Sequence, residues 1–184
     1  LTDDDQALLV FGGSRGAQHI NQVVAQALEA LLPLCRVIHV CGPANLAEME
    51  SRRAALSPEW QGRYQLYAYL HEMPLALAAA DLVVSRAGAS VLGEFPAVGL
   101  PSILIPYAGG HRDQVQNAAY LAGHGAAQVI PDDRLDAQTL IDTVRSLLAD
   151  RTRLAALAQA AQGLSRPQAA AQLAQELVQL GQEK

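Results

Sequence analysis

Six short apolar runs, each followed by a segment with helical patterning, restrict this chain to one kind of fold. The runs lie at residues 7–11, 36–41, 64–69, 82–85, 103–105 and 126–130. The run at 7–11 is apolar throughout, which is typical of a strand buried on both faces of a sheet, whereas residues 64–69 (YQLYAY) alternate well enough for a strand. Because helices separate them, neighbouring strands run parallel and the helices cover both faces. The sequence therefore predicts an α/β fold, a Rossmann-like, doubly wound parallel sheet of about six strands.

The composition agrees with a globular domain and argues against several functional classes. Apolar residues make up 51% and charged residues 17% of the chain, whose formal net charge is −5. This acidic balance, without any long run of Lys and Arg, argues against a nucleic-acid groove. Cys35 and Cys41 are too few for a disulfide framework or a zinc site, so we expect a reducing compartment. No apolar run approaches the roughly 18 residues of a membrane helix.

Glycine-rich turns follow three of the predicted strands. They lie at residues 12–16, 88–90 and 109–110, after the first, fourth and fifth strands. In open parallel sheets, ligands bind outside the carboxyl ends of the strands, at the point where the strand order reverses. We therefore expect these turns to contribute to one binding site.

The turn after the fourth strand has the clearest chemistry. Residues 88–90 (Gly-Ala-Ser) open a helix, and Glu94 lies one turn further on. Backbone N–H groups and the Ser90 hydroxyl at a helix start suit a diphosphate. A nearby carboxylate can accept hydrogen bonds from both hydroxyls of a ribose. Residues 109–114 place donors and acceptors beside glycines, as recognition of a sugar requires. Together these features predict a nucleotide-sugar site.

The first glycine turn does not fit a nicotinamide site. Residues 12–16 (GGSRG) lack the G-x-G-x-x-G spacing, and residues 40–43 (VCGP) end the second strand without the acid that would bind the adenosine ribose. Ser14 would either contact a ligand or only cap the following helix. The sequence has no nucleophile elbow, no Ser-His-Asp order and no acidic pair suited to a divalent metal, so no metal or cofactor is expected.

Arg86 and the histidines are interpreted from their position in the predicted elements. Arg86 ends the buried fourth strand beside the site, where it would pair with a phosphate or with a structural carboxylate. His39 lies inside a strand and is predicted to be a hydrogen-bonded core residue. His19 and His124 are predicted to lie on helix surfaces.

Four segments together resemble the C-terminal domain of the MurG family of peptidoglycan glycosyltransferases. They are GGSRGAQHIN (12–21), SRAGASVLGE (85–94), GLPSILIPY (99–107) and HRDQVQNA (111–118), and the resemblance extends over residues 7–180. It implies the C-terminal half of a B-type glycosyltransferase fold. It also implies a full-length enzyme that moves GlcNAc from UDP-GlcNAc onto lipid I, with inversion and without a bound metal.

The resemblance implies a role for each matching residue. Ser14 would approach the donor phosphates or the GlcNAc, and the backbone of Leu70 would meet the uracil. Glu94 would hold the ribose hydroxyls, while Asp113 and Gln114 would contact the GlcNAc. The residues that would hold the diphosphate are Gly88, Ala89, Ser90, Val91, Leu92 and Gly93.

Three positions depart from the family pattern. Val91 stands where Thr is common, so a phosphate contact is lost unless Ser90 supplies the hydroxyl. Phe95 and Pro96 follow, where small or aliphatic residues are usual, and the proline is early enough in the helix to be tolerated. Asp113 occupies a position that is often Gln or His, which puts its sugar contact in question.

The resemblance also implies a second, N-terminal domain that this sequence does not contain. In the family that domain holds lipid I, contacts the membrane and supplies the general base, so no catalytic residue is expected here. We expect residues 1–6 to form a linker or frayed start, 7–165 the UDP-sugar-binding domain, and 166–184 a helix that docks toward the missing domain. The full-length protein is expected in the cytoplasm, on the inner face of the cell membrane, and the isolated domain is expected to be inactive.

Two alternative functions stay open. One is another B-type glycosyltransferase that uses a different UDP-sugar. The other is a freestanding nucleotide-sugar-binding subunit that works with a separate acceptor-binding chain. The sequence upstream of Leu1 distinguishes them, since a fused glycine-rich domain favours the MurG family and a true start at this residue favours the subunit.

Overall fold

The structure, a computed structural model, describes residues 6–13, 17–107, 109 and 112–182. In this part of the chain, six parallel strands form one sheet in the order β3-β2-β1-β4-β5-β6. The strands are β1 (Ala7–Phe11), β2 (Arg36–Val40), β3 (Tyr64–Tyr67), β4 (Leu82–Ser85), β5 (Ser102–Leu104) and β6 (Ala127–Val129). The predicted fold class is confirmed; β1 and β4 match the predicted runs, and the other four strands differ from them by one or two residues at their ends.

Helices follow the strands and cover both faces of the sheet. They are α1 (Gln18–Leu31), α2 (Leu46–Ala55), α3 (Pro58–Gln61), α4 (Met73–Ala79), α5 (Val91–Val98), α6 (Arg112–Gly123), α7 (Ala137–Ala149), α8 (Arg151–Gly163) and α9 (Ala169–Gln182). The one-turn helix α3 is not predicted by the sequence pattern. None of the helices in the described ranges has the length and apolar character needed to cross a bilayer.

The central strand β1 shows why short apolar runs are sufficient for this sheet. Side chains alternate along a strand, so Leu8 and Val10 enter a core with α1 and α7, while Leu9 and Phe11 enter a second core with α4, α5 and α6. All five residues of β1 are buried. A strand covered on both faces therefore needs apolar residues at every position.

The strand order places a crevice next to β1. β2 and β3 lie on one side of β1, and β4, β5 and β6 lie on the other. The order reverses between β1 and β4, so the connections that leave these two strands diverge. This divergence opens a crevice at their carboxyl ends, where ligands bind in doubly wound folds.

A buried hydrogen-bond network joins α1 to β2 and β3. His39 is buried, its Nε2 lies 2.9 Å from Asn21 Oδ1, and its Nδ1 lies 2.8 Å from the Tyr64 hydroxyl. The Asn21 amide nitrogen donates to the carbonyl of Cys41 at 2.7 Å. Because Asn21 Oδ1 only accepts, His39 Nε2 carries the proton and Nδ1 accepts from Tyr64. The prediction of a hydrogen-bonded core histidine is confirmed, and burial lowers its pKa from 6.5 to about 4.

Gly99 ends α5 in the left-handed region, with φ of 64°. A Cβ at this position would lie 3.4 Å from the carbonyl oxygen of Ala158 in α8, which is an ordinary van der Waals contact, so the left-handed backbone is what disfavours an added side chain. We expect Gly99→Ala to lower the free energy of unfolding by about 1–2 kcal/mol, the cost of this conformation for a residue with a Cβ.

Urea unfolding followed by circular dichroism measures this change. The matched control is Gly163→Ala at the end of α8, where an added Cβ meets nothing within 4 Å. The control is expected to leave stability unchanged or slightly raised. Equal stability of the two variants would contradict the role given to Gly99.

Candidate functional site

Two cavities lie at the carboxyl ends of the strands, on either side of the turn that follows β1. The first cavity has a volume of about 230 Å³ and is lined by Phe11, Gly13, Val40, Ala68, Tyr69, Leu70, Met73, Ser90 and Glu94. The second cavity has a volume of about 440 Å³ and is lined by Gly12, Ala17, Gln18, His19, Arg86, Tyr107, Gln114 and Asp132. A further cavity of about 290 Å³ lies at the opposite ends of the strands, away from the glycine turns.

The first cavity joins an apolar floor to one carboxylate. Phe11 and Val40, the last residues of β1 and β2, form part of the floor, and Leu70 comes from the loop after β3. Ser90 and Glu94 line the other side, and both are exposed to solvent. The tertiary structure thus brings together Leu70, Ser90 and Glu94, which the sequence predicts as site residues. An apolar slot with a carboxylate at its edge suits a flat base and an attached diol.

The turn after β4 divides its N–H groups into two sets. Those of residues 91–93 donate to the carbonyls of residues 88–90, at 3.0 to 3.2 Å. The N–H groups of Gly88, Ala89 and Ser90 have no hydrogen-bond partner among the described residues. A Cβ at Gly88 would meet nothing within 4 Å, so there is room beside this backbone. An anion at this turn would therefore be held by the first three N–H groups, while the next three stabilise the turn.

Ser90 and Val91 point into different environments. Val91, the first residue of α5, is 1% exposed and packs in the second core, whereas Ser90 is exposed and lines the first cavity. The hydroxyl at this turn is therefore the one on Ser90. The helix continues through Pro96 to Val98, so the proline does not end it.

Arg86 is held by three contacts, two from the segment after β5 and one from the segment after β6. Its Nη1 donates to Asp132 Oδ1 at 2.6 Å and to the carbonyl of Ile105 at 3.1 Å. Its guanidinium carbon lies 5.4 Å from the ring centroid of Tyr107. Of the two interpretations left open by the sequence, the structure contains the pair with a carboxylate. The side chain nevertheless lines the second cavity and is 12% exposed.

His19 lies in α1 with its side chain 42% exposed, and it also contacts a carboxylate. Its Nδ1 lies 3.0 Å from Asp132 Oδ1, the same oxygen that accepts from Arg86. Burial acts to raise the pKa of Asp132, but the hydrogen bonds from Arg86 and His19 outweigh it and lower that pKa. Asp132 is thus ionised, and one of its oxygens accepts hydrogen bonds from both Arg86 and His19. It lies after β6, 113 residues from His19, so no local pattern could reveal the pair.

The two residues predicted to contact the sugar lie in different surroundings. Gln114 Oε1 accepts from the Tyr107 N–H at 2.9 Å, which fixes this side chain at the wall of the second cavity. Asp113 is exposed in the first turn of α6 and does not line either cavity. Ser14, the remaining predicted contact, lies outside the described residues.

Sequence reasoning missed Asn117, which supports the turn after β4. Its side-chain amide donates to the carbonyl of Ala87 at 3.0 Å. This bond ties α6 to the residue just before the glycine at position 88. Asn117 belongs to the segment at 111–118 that carries the family resemblance, which could have marked it as a site residue. Its partner could not be predicted, because it depends on how α6 packs.

The fold is that of the C-terminal half of a B-type glycosyltransferase, with two cavities at the carboxyl ends of its strands. The structure of MurG from Acinetobacter baumannii matches the whole chain with a TM-score of 0.80 and 26% identity, and 53% of that protein is covered. Glycosyltransferase VinC, solved in complex with DTDP, matches 99% of the chain and 43% of its own length, with a TM-score of 0.73 and 17% identity. At that identity VinC supports the fold alone.

Residues 7–173 match the model of the glycosyltransferase family 28 C-terminal domain, and the chain belongs to that family. Two relatives are both named UDP-N-acetylglucosamine--N-acetylmuramyl-(pentapeptide) pyrophosphoryl-undecaprenol N-acetylglucosamine transferase. The one from Roseiflexus sp. is 42% identical over 95% of the chain and 44% of its own length. The one from Nocardia farcinica is 39% identical over 98% of the chain and 46% of its own length. The resemblance drawn from the sequence segments is confirmed, and the chain spans less than half of these relatives.

Proposed function

We propose that this chain is the donor-binding half of an inverting, metal-independent transferase. The full-length enzyme moves GlcNAc from UDP-GlcNAc onto undecaprenyl-pyrophosphoryl-MurNAc-pentapeptide, which converts lipid I to lipid II in peptidoglycan synthesis. The observation that supports this most is the pair of cavities at the carboxyl ends of β1 and β4, in a chain about 40% identical to transferases with that name.

The nucleotide sugar is proposed to lie across the turn that follows β1. The uracil and ribose occupy the first cavity, with the base at the backbone of Leu70 and both ribose hydroxyls donating to Glu94. Support comes from the apolar floor of that cavity and from the single carboxylate at its edge. The diphosphate lies along residues 88–93, and the sugar enters the second cavity beside Gln114. Ser14 and Asp113 remain proposed contacts of the phosphates or the sugar.

Donor-side residues assist the reaction by stabilising the departing UDP. As the bond from the sugar to the β-phosphate breaks, negative charge develops on the phosphate oxygens. The N–H groups of Gly88, Ala89 and Ser90, just before α5, are proposed to stabilise this charge. Such preorganised donors are often the largest single contribution to catalysis. The general base that removes the acceptor proton belongs to the N-terminal domain, so this chain alone is inactive.

The last helix is proposed to dock onto that N-terminal domain. No residue of α9 is buried against the rest of the described chain, and its apolar stripe includes Leu173, Leu177 and Val178, each about 60% exposed. We assign residues 7–165 to donor binding, 166–184 to this docking helix and 1–6 to a linker. Membrane contact is assigned to the N-terminal domain of a cytoplasmic, peripheral protein that binds no nucleic acid.

Titration calorimetry of this chain with three nucleotide sugars tests the proposed donor. UDP-GlcNAc is expected to bind about tenfold more tightly than UDP-glucose or UDP-GalNAc, because the wrong sugar leaves polar groups of the site unpaired. UDP itself serves as the control for the nucleotide part. Equal affinity for the three sugars would contradict the GlcNAc assignment and favour a transferase with another donor. An absence of UDP binding would contradict the site itself.

A further inference from the structure

His19 lies where it can contact the sugar end of a ligand, although it is not one of the predicted site residues. It belongs to the first turn of α1 and lines the second cavity together with Arg86, Tyr107 and Gln114. Its side chain is 42% exposed, while that of its partner Asp132 is 19% exposed. The imidazole is therefore oriented by a carboxylate that is more buried than itself, and it remains open to the cavity.

The contact with Asp132 determines which ring nitrogen is available. The ionised carboxylate can only accept, so His19 Nδ1 carries a proton and donates across the 3.0 Å contact. In the neutral imidazole, Nε2 is then an acceptor with an unshared lone pair. Nε2 has no hydrogen-bond partner among the described residues. The matching ligand group is a hydroxyl that donates a hydrogen bond.

We propose that His19 is a specificity-determining residue that accepts a hydrogen bond from a hydroxyl of the donor sugar. The inference rests on the proposed function and adds a sugar contact to that same site. Asp132 holds the imidazole in the tautomer that accepts.

The surroundings of His19 favour a sugar hydroxyl over a phosphate oxygen. A phosphate oxygen at pH 7 is itself an acceptor, so it matches Nε2 only when that nitrogen carries a proton, whereas a hydroxyl can donate to the Nε2 lone pair. Among the described residues that line this cavity, the Arg86 guanidinium is already bound to Asp132, so its charge is largely balanced. Gln114, the proposed sugar contact, lines the same cavity, whereas Ser90 and Glu94 line the other one.

Comparing UDP with UDP-GlcNAc separates a sugar contact from a phosphate contact. We expect His19→Ala to weaken UDP-GlcNAc about 3- to 10-fold in calorimetry, the effect of one lost neutral hydrogen bond, and to leave UDP within about twofold. His19→Gln offers an amide oxygen near the position of Nε2 and is expected to recover part of the loss. The matched control is His124→Ala, which removes an exposed histidine bonded to the carbonyl of Tyr120. It is expected to change neither affinity.

The outcomes distinguish this inference from the proposed function. If the wild-type chain binds UDP-GlcNAc and His19→Ala binds it with the same affinity, the role of His19 is overturned and the proposed donor stands. Equal weakening of UDP and UDP-GlcNAc also overturns it, because the contact is then to the nucleotide part or to the fold. A wild-type chain that binds neither ligand overturns both. Nitrogen NMR supplies an independent readout: His19 should carry its proton on Nδ1, and a proton on Nε2 would overturn the assignment.

Discussion

Replacing Glu94 with Ala is expected to weaken UDP binding by about 1.5–3 kcal/mol, which is roughly 10- to 150-fold. Glu94 is the carboxylate that lines the first cavity together with Leu70 and Ser90. Two hydroxyls of a ribose that donate to one carboxylate form charge-assisted hydrogen bonds, which are stronger than neutral ones. Titration calorimetry with UDP alone measures the loss without any contribution from the sugar.

A ligand change makes the Glu94 test specific. The wild-type chain is expected to bind 2′-deoxy-UDP less tightly than UDP, and Glu94→Ala should remove most of this difference, because the carboxylate that recognises the hydroxyl is gone. The matched control is Glu176→Ala. It removes an exposed carboxylate of α9 that lines neither cavity. If Glu94→Ala keeps the wild-type affinity for UDP, the ribose role is wrong.

Acid is expected to destabilise the chain through His39, by about 3 kcal/mol as the pH falls from above 6.5 to below 4. Burial lowers the pKa of His39 from 6.5 to about 4 in the folded state. Between these values the unfolded chain binds a proton that the folded chain does not, so stability rises with pH in this window. The stabilisation is fully present above pH 6.5 and is lost as the pH falls through about 4.

Urea unfolding at a series of pH values tests this prediction. Carboxylates such as Asp132 also lose stabilising contacts in acid, so the informative quantity is the difference between the wild type and His39→Gln. The stability of this variant should depend less on pH between 4 and 6.5, although loss of the Tyr64 contact lowers its stability at pH 7. His124→Gln, at an exposed histidine, should follow the wild-type curve. Parallel curves for wild type and His39→Gln would show that His39 does not cause the acid sensitivity.

The local sequence pattern was enough to predict the fold, because the strands are recognisable as short runs between helical segments. The run at 7–11 is apolar at every position, and β1 covers the same residues with all of them buried. The same holds for the turn at 88–90 and for Glu94, which are neighbours in the sequence and therefore neighbours in space. Their placement at the carboxyl end of β4 followed from the alternation of strands and helices. The ends of β3 and the helix α3 were not recovered, since short elements depend on tertiary packing.

The sequence by itself determined the α/β class, the glycine turns and the segment from Ser85 to Glu94, since these depend on periodicity and on residues close together in the chain. The tertiary structure decided how side chains far apart in the sequence meet. Arg86 and His19 share one oxygen of Asp132, which is 46 and 113 residues away from them. The packing of α6 placed Gln114, and not its neighbour Asp113, at the second cavity. Such contacts arise only when β1, β4 and the turn after β6 are brought to one edge of the sheet, because hydrogen bonding and burial act through space and leave no local pattern in the sequence.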